Sequence, residues 1–266
     1  MTFLAEVSAE ISLAIRSPTY LAGLPKDPGQ PPPSFRAAIE AHRSKGALVV
    51  EHKRVSPGAA DPILPHRSIS DFVNSVEPAE PAAFSCLATG PRFLGSPQQV
   101  ADLVACTHRP VLFKDFVIDP IQLDAARRAG ASAVLLIARL EQEQLGRFSL
   151  VELAEEARAR GLEVLLEVHS KSELALASRV RPEVCGVNVR DLDTLELKPA
   201  TALATMEAAA ALRPLLGLSG VQSPTDAAQF WRAGADGLLV GSAVARAPDP
   251  AAFLRTLYRP MSGRTP

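Results

Sequence analysis

The chain has 266 residues, a length that suits one α/β barrel of about 250 residues or at most two smaller domains. Hydrophobic residues make up 47% and charged residues 21%, enough to bury a large core, while a net charge of −1 excludes bulk attraction to nucleic acid or to an anionic membrane. No apolar run approaches the roughly 18 residues of a membrane span, and the N-terminus lacks the basic-then-apolar order of a signal peptide, so a cytoplasmic protein is expected.

Phe3, Leu4, Val7, Ile11, Ala14 and Ile15 share one face of a first helix, with Glu6, Glu10 and Arg16 off that stripe. The Pro-rich stretch 24–35 breaks the helix and reads as a connector. A second helix is expected over 35–44. Residues 1–46 carry too few apolar side chains for a core of their own. They are read as a helical extension packed on a catalytic domain spanning 47–266.

From residue 47 a rhythm begins. Short runs rich in Val, Leu and Ile recur at 47–53, 82–88, 110–116, 131–138, 163–169, 184–190, 215–220 and 237–242. Most are continuous rather than alternating, as strands buried on both faces are. Amphipathic helices separate them. The clearest spans 149–161, with Leu150, Leu153, Ala154 and Ala157 opposite Glu155, Glu156 and Arg158. Those over 121–131 and 223–235 both end in Ala-Gly-Ala, which places Gly at the helix C′ position, and Ser223-Pro224 reads as an N-cap with Pro at N1. Parallel strands need helical crossovers, and eight such units close into a (β/α)8 TIM barrel. An open doubly wound sheet would show a glycine-rich G-x-G-x-x-G turn after its first strand, and this chain has none.

Chemistry in such barrels sits at the C-terminal ends of the strands. Polar groups crowd those ends here: Glu51, Lys53, Lys114, Glu167, Asn188 and Arg190. Ionised residues inside Val/Leu runs need one another, water or a ligand. Salt bridges that merely pack a mouth are the bland alternative, but two lysines and two glutamates on three strand ends point to a shared ligand. Ser219-Gly220 and Gly241-Ser242 follow the last two strands, where these barrels commonly bind phosphate, and Ser56 after the first strand offers a further hydroxyl. His52 should point away from the mouth by alternation, and His169 lies on the face of Glu167 but further out. His42, His66 and His108 read as surface. No histidine pair has metal-ligand spacing, and no metal is expected. Cys86, Cys106 and Cys185 have no paired spacing and read as buried, inert thiols. No basic run with interleaved aromatics suggests nucleic acid. The oligomeric state is not legible, and a monomer is the expectation.

Over residues 35–245 these motifs resemble the indole-3-glycerol phosphate synthase family. The resemblance rests on VVEHKRVSP (49–57), PVLFKDFVIDPIQLDAARRAGASAVLLIA (110–138), LLEVHSKSEL (165–174), GVNVRDLDTLEL (186–197), LSG (218–220) and GADGLLVGS (234–242). It implies closure of the indole ring of 1-(o-carboxyphenylamino)-1-deoxyribulose 5-phosphate, with loss of carbon dioxide and water and with no cofactor. By this resemblance Lys114 is the general acid at the C2 carbonyl oxygen, and Glu167 holds that lysine and acts as a base. Lys53, paired with Glu51, assists dehydration, and Asn188 holds polar atoms near the reacting centre. Arg190 steadies its loop or the anionic substrate. Phe116 and Phe93 sandwich the anthranilate ring, and Ser219, Gly220, Gly241 and Ser242 hold the phosphate.

The chain also departs from the family. Leu218 stands where Glu normally precedes Ser219, and Thr89 stands where the second strand normally ends in Glu. Val189 replaces Asn or Ser, and Arg92 replaces an aromatic residue. Two lost carboxylates are expected to lower the lysine pKa values and favour anionic ligands. A divergent paralogue acting on another phosphosugar, or a catalytically impaired ligand-binding barrel, are the alternatives these departures raise.

Overall fold

A computed structural model describes residues 2–27, 29–55, 68–90 and 92–260. The eight strands are β1 (Ala47–His52), β2 (Ala83–Leu87), β3 (Val111–Lys114), β4 (Ala133–Ile137), β5 (Glu163–Val168), β6 (Val184–Asn188), β7 (Leu215–Leu218) and β8 (Gly237–Val240). Each falls inside a run expected from the sequence. They close in the order β1 to β8, all parallel, with β8 returning to β1 through Ala47–Val50 paired to Gly237–Val240. The chain is therefore a (β/α)8 barrel.

The helices in chain order are α1 (Phe3–Ala14), α2 (Phe35–His42), α3 (Ile69–Val76), α4 (Pro97–Ala105), α5 (Pro120–Arg128) and α6 (Ala138–Gln142), followed by α7 (Leu150–Ala159), α8 (Leu174–Val180), α9 (Pro199–Ala208), α10 (Pro224–Arg232), α11 (Ser242–Arg246) and α12 (Pro250–Leu257). Their ends follow local chemistry. Ser149 and Glu152 form a capping box on α7, and Asp119 and Gln122 form one on α5. Ser223 caps α10 with Pro224 at N1, as its sequence suggests. Gly130 and Gly234 take φ +77° and +94°, and the amides of Ala131 and Ala235 reach back to Ala126 and Phe230. These are the left-handed caps that the two Ala-Gly-Ala segments predict.

Alternate strand residues sort the core into two clusters. Val49, Leu112, Leu135, Leu165, Leu216 and Leu239 belong to the barrel interior. Val50, Phe84, Phe113, Leu136, Leu166 and Leu238 pack outward with helix residues such as Leu123 and Leu153. The period of two along each strand makes this division. His52 follows the outward set, edge-on to Phe72 at 5.1 Å, and burial there lowers its pKa to about 4.

The two N-terminal helices join the interior cluster through Leu4, Val7 and Ile11 of α1 and Phe35 and Ile39 of α2. Glu163, at the start of β5, accepts from the Ser34 hydroxyl at 2.5 Å and the Arg36 amide at 2.7 Å, so α2 lies at the strands' N-terminal end. Arg92, in the loop after β2, pairs with Glu6 and Glu10 of α1 at 2.8 Å each. That contact puts α1 at the opposite, C-terminal end. Cys86 and Cys185 are buried, but Cys106 is exposed, because it follows the last turn of α4 instead of lying within a strand. His108 is exposed and His42 half-buried, with its Nδ1 2.9 Å from the Ala38 carbonyl, while His66 lies outside the described residues.

Candidate active site

A cavity of about 970 Å³, counting its open mouth, lies at the C-terminal ends of the strands. Every candidate residue of the catalytic, substrate and phosphate sets lines it except Ser56, which lies outside the described residues. Parallel strands of one barrel point the same way, so the last inward residue of each reaches the same mouth.

The centre of the charge pattern is Glu51. Its side chain is 3% exposed, with Lys53 Nζ 2.7 Å from Oε1 and Lys114 Nζ 3.4 Å from Oε2. Burial alone would raise the carboxyl pKa, but the two ammonium groups prevail and hold it near 2. Lys114 shows the reciprocal effect. Burial works to lower its pKa, while Glu51 and Glu167 together raise it above the usual lysine value. This corrects the expectation that lost carboxylates lower the lysine pKa values: the remaining two outweigh desolvation at Lys114. It also changes a partnership. The carboxylate in contact with Lys114 is Glu51, which the two lysines share, and Glu167 acts on Lys114 through its field.

Glu167 makes its close ion pair with His169, whose Nε2 lies 3.3 Å from Oε1. Burial would raise the Glu167 pKa, yet His169, Lys114 and the Asn188 amide lower it below the usual carboxylate value. His169 does not line the cavity and stands behind Glu167. Asn188 also accepts from the Arg190 amide at 2.9 Å, and Arg190 donates to the Leu195 carbonyl at 2.7 Å. Arg190 thus steadies its own loop, while its half-buried guanidinium still lines the cavity.

Phe93 and Phe116 stack with centroids 6.1 Å apart and planes 25° from parallel, and Phe3 of α1 meets Phe93 edge-on at 6.3 Å. A ring inserted between two others needs roughly twice the 3.5–4.0 Å carbon contact distance. The two phenylalanines therefore form one aromatic wall, and the expected sandwich does not exist in this arrangement. Phe3 belongs to that wall and escaped the sequence reading, because on a helical stripe it looks like any packing residue.

The residues at the two lost carboxylate positions have clear local roles. Thr89 donates to Asp115 Oδ1 at 2.6 Å, and Asp115 also accepts from the Phe116 amide and the Gln122 side chain at 2.9 Å each. Burial raises the Asp115 pKa against those hydrogen bonds. Thr89 thus braces the loop that carries Phe116. Leu218 is 2% exposed and pairs in register with Asn188 and Leu239. It fills the space left by Gly186, where an added Cβ would lie 2.7 Å from Leu218 Cδ1. The cavity floor is apolar at Leu218, the position where the resemblance marks a lost carboxylate. On the far wall, Ser219 and Gly220 take successive left-handed conformations, φ +64° and +77°. A non-glycine residue held there is a strained feature of the kind that concentrates at binding sites.

A family model described as Indole-3-glycerol phosphate synthase matches residues 5–257. Relatives of that name from Staphylococcus aureus strains JH1 and MRSA252 are each 35% identical over 224 residues, covering 84% of this chain and 84% of theirs. Among solved structures, thiamine phosphate pyrophosphorylase from Pyrococcus furiosus matches with a TM-score of 0.58 at 15% identity, covering 82% of this chain and 95% of that one. 3-Hexulose-6-phosphate synthase from Salmonella typhimurium gives a TM-score of 0.58 at 16% identity, covering 79% of this chain and 96% of that one. At such identities the solved structures speak for the barrel alone. The family model and the relatives go further, and by both the chain belongs to the indole-3-glycerol phosphate synthase family.

Proposed function

We propose that this chain closes the indole ring of 1-(o-carboxyphenylamino)-1-deoxyribulose 5-phosphate, as a cytoplasmic carboxy-lyase of tryptophan biosynthesis that uses no cofactor. The observation that carries the reading is the Lys53–Glu51–Lys114 cluster, with distances of 2.7 and 3.4 Å, inside the cavity that Ser219, Gly220, Gly241 and Ser242 also line.

Each side chain then has a task that its surroundings support. Lys114, kept as an ammonium, donates to the C2 carbonyl oxygen as the aryl carbon attacks. Carbon dioxide then leaves the ring. Lys53, held by Glu51, assists departure of the hydroxyl as water. Glu167, ionised beside His169, takes a proton as the new ring becomes aromatic. Asn188 orients the polar atoms at that centre, and Arg190 faces the substrate's negative charge. The wall of Phe93 and Phe116 lies against the aryl group, and the turns after β7 and β8 take the phosphate.

The test is turnover of this substrate, followed by indole-3-glycerol phosphate fluorescence. The wild type is expected to turn over. Lys114→Ala is expected to lose activity on the order of 10²–10⁴-fold, the usual weight of a positioned acid. A wild type without turnover sinks the proposal. The apolar Leu218 favours one second reading, a paralogue for a phosphosugar that needs no acceptor at that position. Turnover of such an analogue, with none of the carboxyphenylamino substrate, would select it.

A further inference from the structure

Behind the cavity wall runs a buried line of alternating charge. Glu167 on β5 faces His169 Nε2 at 3.3 Å, and His169 Nδ1 faces Glu173 Oε2 at 3.2 Å. The backbone amide of His169 donates to the same Glu173 oxygen at 2.7 Å. Glu173, fully buried beside the start of α8, receives Arg139 from α6 at 2.9 Å. Arg139 in turn meets Asp193, in the loop after β6, at 3.0 Å. Glu143 lies 4.0 Å from Arg139, Asp191 adds a more distant negative charge to it, and Lys114 and Asn188 approach Glu167 from the cavity side.

The chemistry of imidazole decides the state of His169. A neutral ring has one N–H and one lone pair. Here both nitrogens face carboxylates, and Nε2 is buried with no aligned hydrogen-bond partner to offer instead. A neutral ring would turn a lone pair toward one of two buried anions. Both nitrogens therefore carry protons. The same carboxylates overcome burial, which alone would lower the pKa, and raise it to about 9.

We propose that His169 is a positioning residue, a lasting imidazolium anchored by Glu173 that holds Glu167 ionised and aimed into the cavity. The ring supplies the positive charge that keeps the Glu167 carboxylate unprotonated when the medium turns acidic. Glu173 and Arg139 lock the ring's orientation from behind. The consequence for catalysis rests on the proposed ring closure; the protonation of His169 does not.

The test therefore has two arms, both on the full chain. In the first, the ring nitrogens of ¹⁵N-labelled protein are followed by NMR. The His169 signal, one of five histidines, is assigned by its loss in His169→Gln. Expected is an imidazolium through pH 8, and in Glu173→Gln a ring that becomes neutral at lower pH. A His169 ring that is neutral at pH 7 overturns the proposal, whatever the enzyme does. In the second, kcat/KM is measured against pH. His169→Gln keeps a donor but removes the charge, so its acid limb is expected to move up by roughly one unit, within the range an opposite charge imposes on a carboxylate. The drop should fall on kcat more than on KM. A variant profile that is only scaled down, with its acid limb unmoved, marks a merely structural histidine and overturns the proposal. If His169→Gln does not fold, Glu173→Gln carries the NMR arm, its His169 signal being the one that moves, and the absence of any histidine ring that turns neutral at lower pH than in the wild type overturns the proposal. A wild type inactive on the carboxyphenylamino substrate removes the functional reading and leaves the NMR arm to decide His169.

Discussion

Leu218 puts an apolar side chain on the cavity floor. It is 2% exposed among Leu135, Leu165, Leu216 and Leu239, so a carboxylate there meets an apolar floor on one side and the cavity on the other. Leu218→Glu is expected to lower Tm by several degrees, because a buried charge without close partners is costly. It is also expected to raise kcat for the carboxyphenylamino substrate, by giving the reacting hydroxyls an acceptor. Thermal melts and steady-state kinetics on the same preparation check both; unchanged kcat would mean that the floor carbon takes no part. At this scale the sequence was informative about which residues bear charge and which strand ends hold them. It was silent on partners. Nothing in the order of Glu51, Lys114 and Glu167 says that both lysines share Glu51, or that Thr89 turns to Asp115. Those choices depend on side chains from different strands meeting at distances of a few ångströms.

The elements carry their own tests, and the glycines of β8 and its exit loop offer a matched pair. At Gly241 a Cβ would lie 2.8 Å from Glu51 Oε1 and 3.2 Å from Lys53 Nζ. At Gly237 it would lie 2.6 Å from the Ala47 carbonyl oxygen in the neighbouring strand. Gly241→Ala pushes on the Glu51–Lys53 ion pair, and is expected to cut kcat/KM at least tenfold with little change in Tm. Gly237→Ala pushes on backbone, and is expected to destabilise the fold by about 1–3 kcal/mol, the usual cost of overpacking. Denaturant unfolding and kinetics on both variants make the comparison; equal stability losses would contradict it. Strands and helix ends were legible because their causes are local. Continuous apolar runs mark two-sided burial, and Ser-Pro and Ala-Gly-Ala mark caps. The places of α1 and α2 at opposite ends of the barrel were not legible, since their apolar stripes fit any greasy surface. Only the pairing of Arg92 with Glu6 and Glu10, and of Glu163 with Ser34, set them apart.

For the whole molecule, three buried groups shape stability against pH. Glu51 has a pKa near 2, below its ordinary 4.5, so its contribution is present above pH 4.5 and lost as the pH falls toward 2. His52, lowered from 6.5 to about 4, remains neutral in the fold; acid therefore favours the unfolded chain between those values. His169 acts in the other direction. Raised from 6.5 to about 9, it contributes fully below pH 6.5 and loses that contribution as the pH rises through 9. Stability is expected to peak near pH 6.5 and to fall on both sides. Denaturant unfolding across pH 4–10 checks this; His169→Gln should flatten the alkaline slope and also change the acid side, because Glu167 and Glu173 lose the charge that lowers their pKa values.

The amino-acid order by itself determined the barrel, its eight strands and the end at which charge gathers, because periodicity and capping are properties of neighbours along the chain. It also carried the family, through blocks such as Lys114-Asp115-Phe116 and Asn188-Val189-Arg190. Tertiary structure alone decided that Phe93 and Phe116 stack and form one wall, that Glu51 serves two lysines, and that a buried His169 backs Glu167. Each of these depends on distances between residues far apart in sequence, and ionisation follows those distances: a charge in a dry interior takes its state from whichever groups closure of the barrel brings beside it.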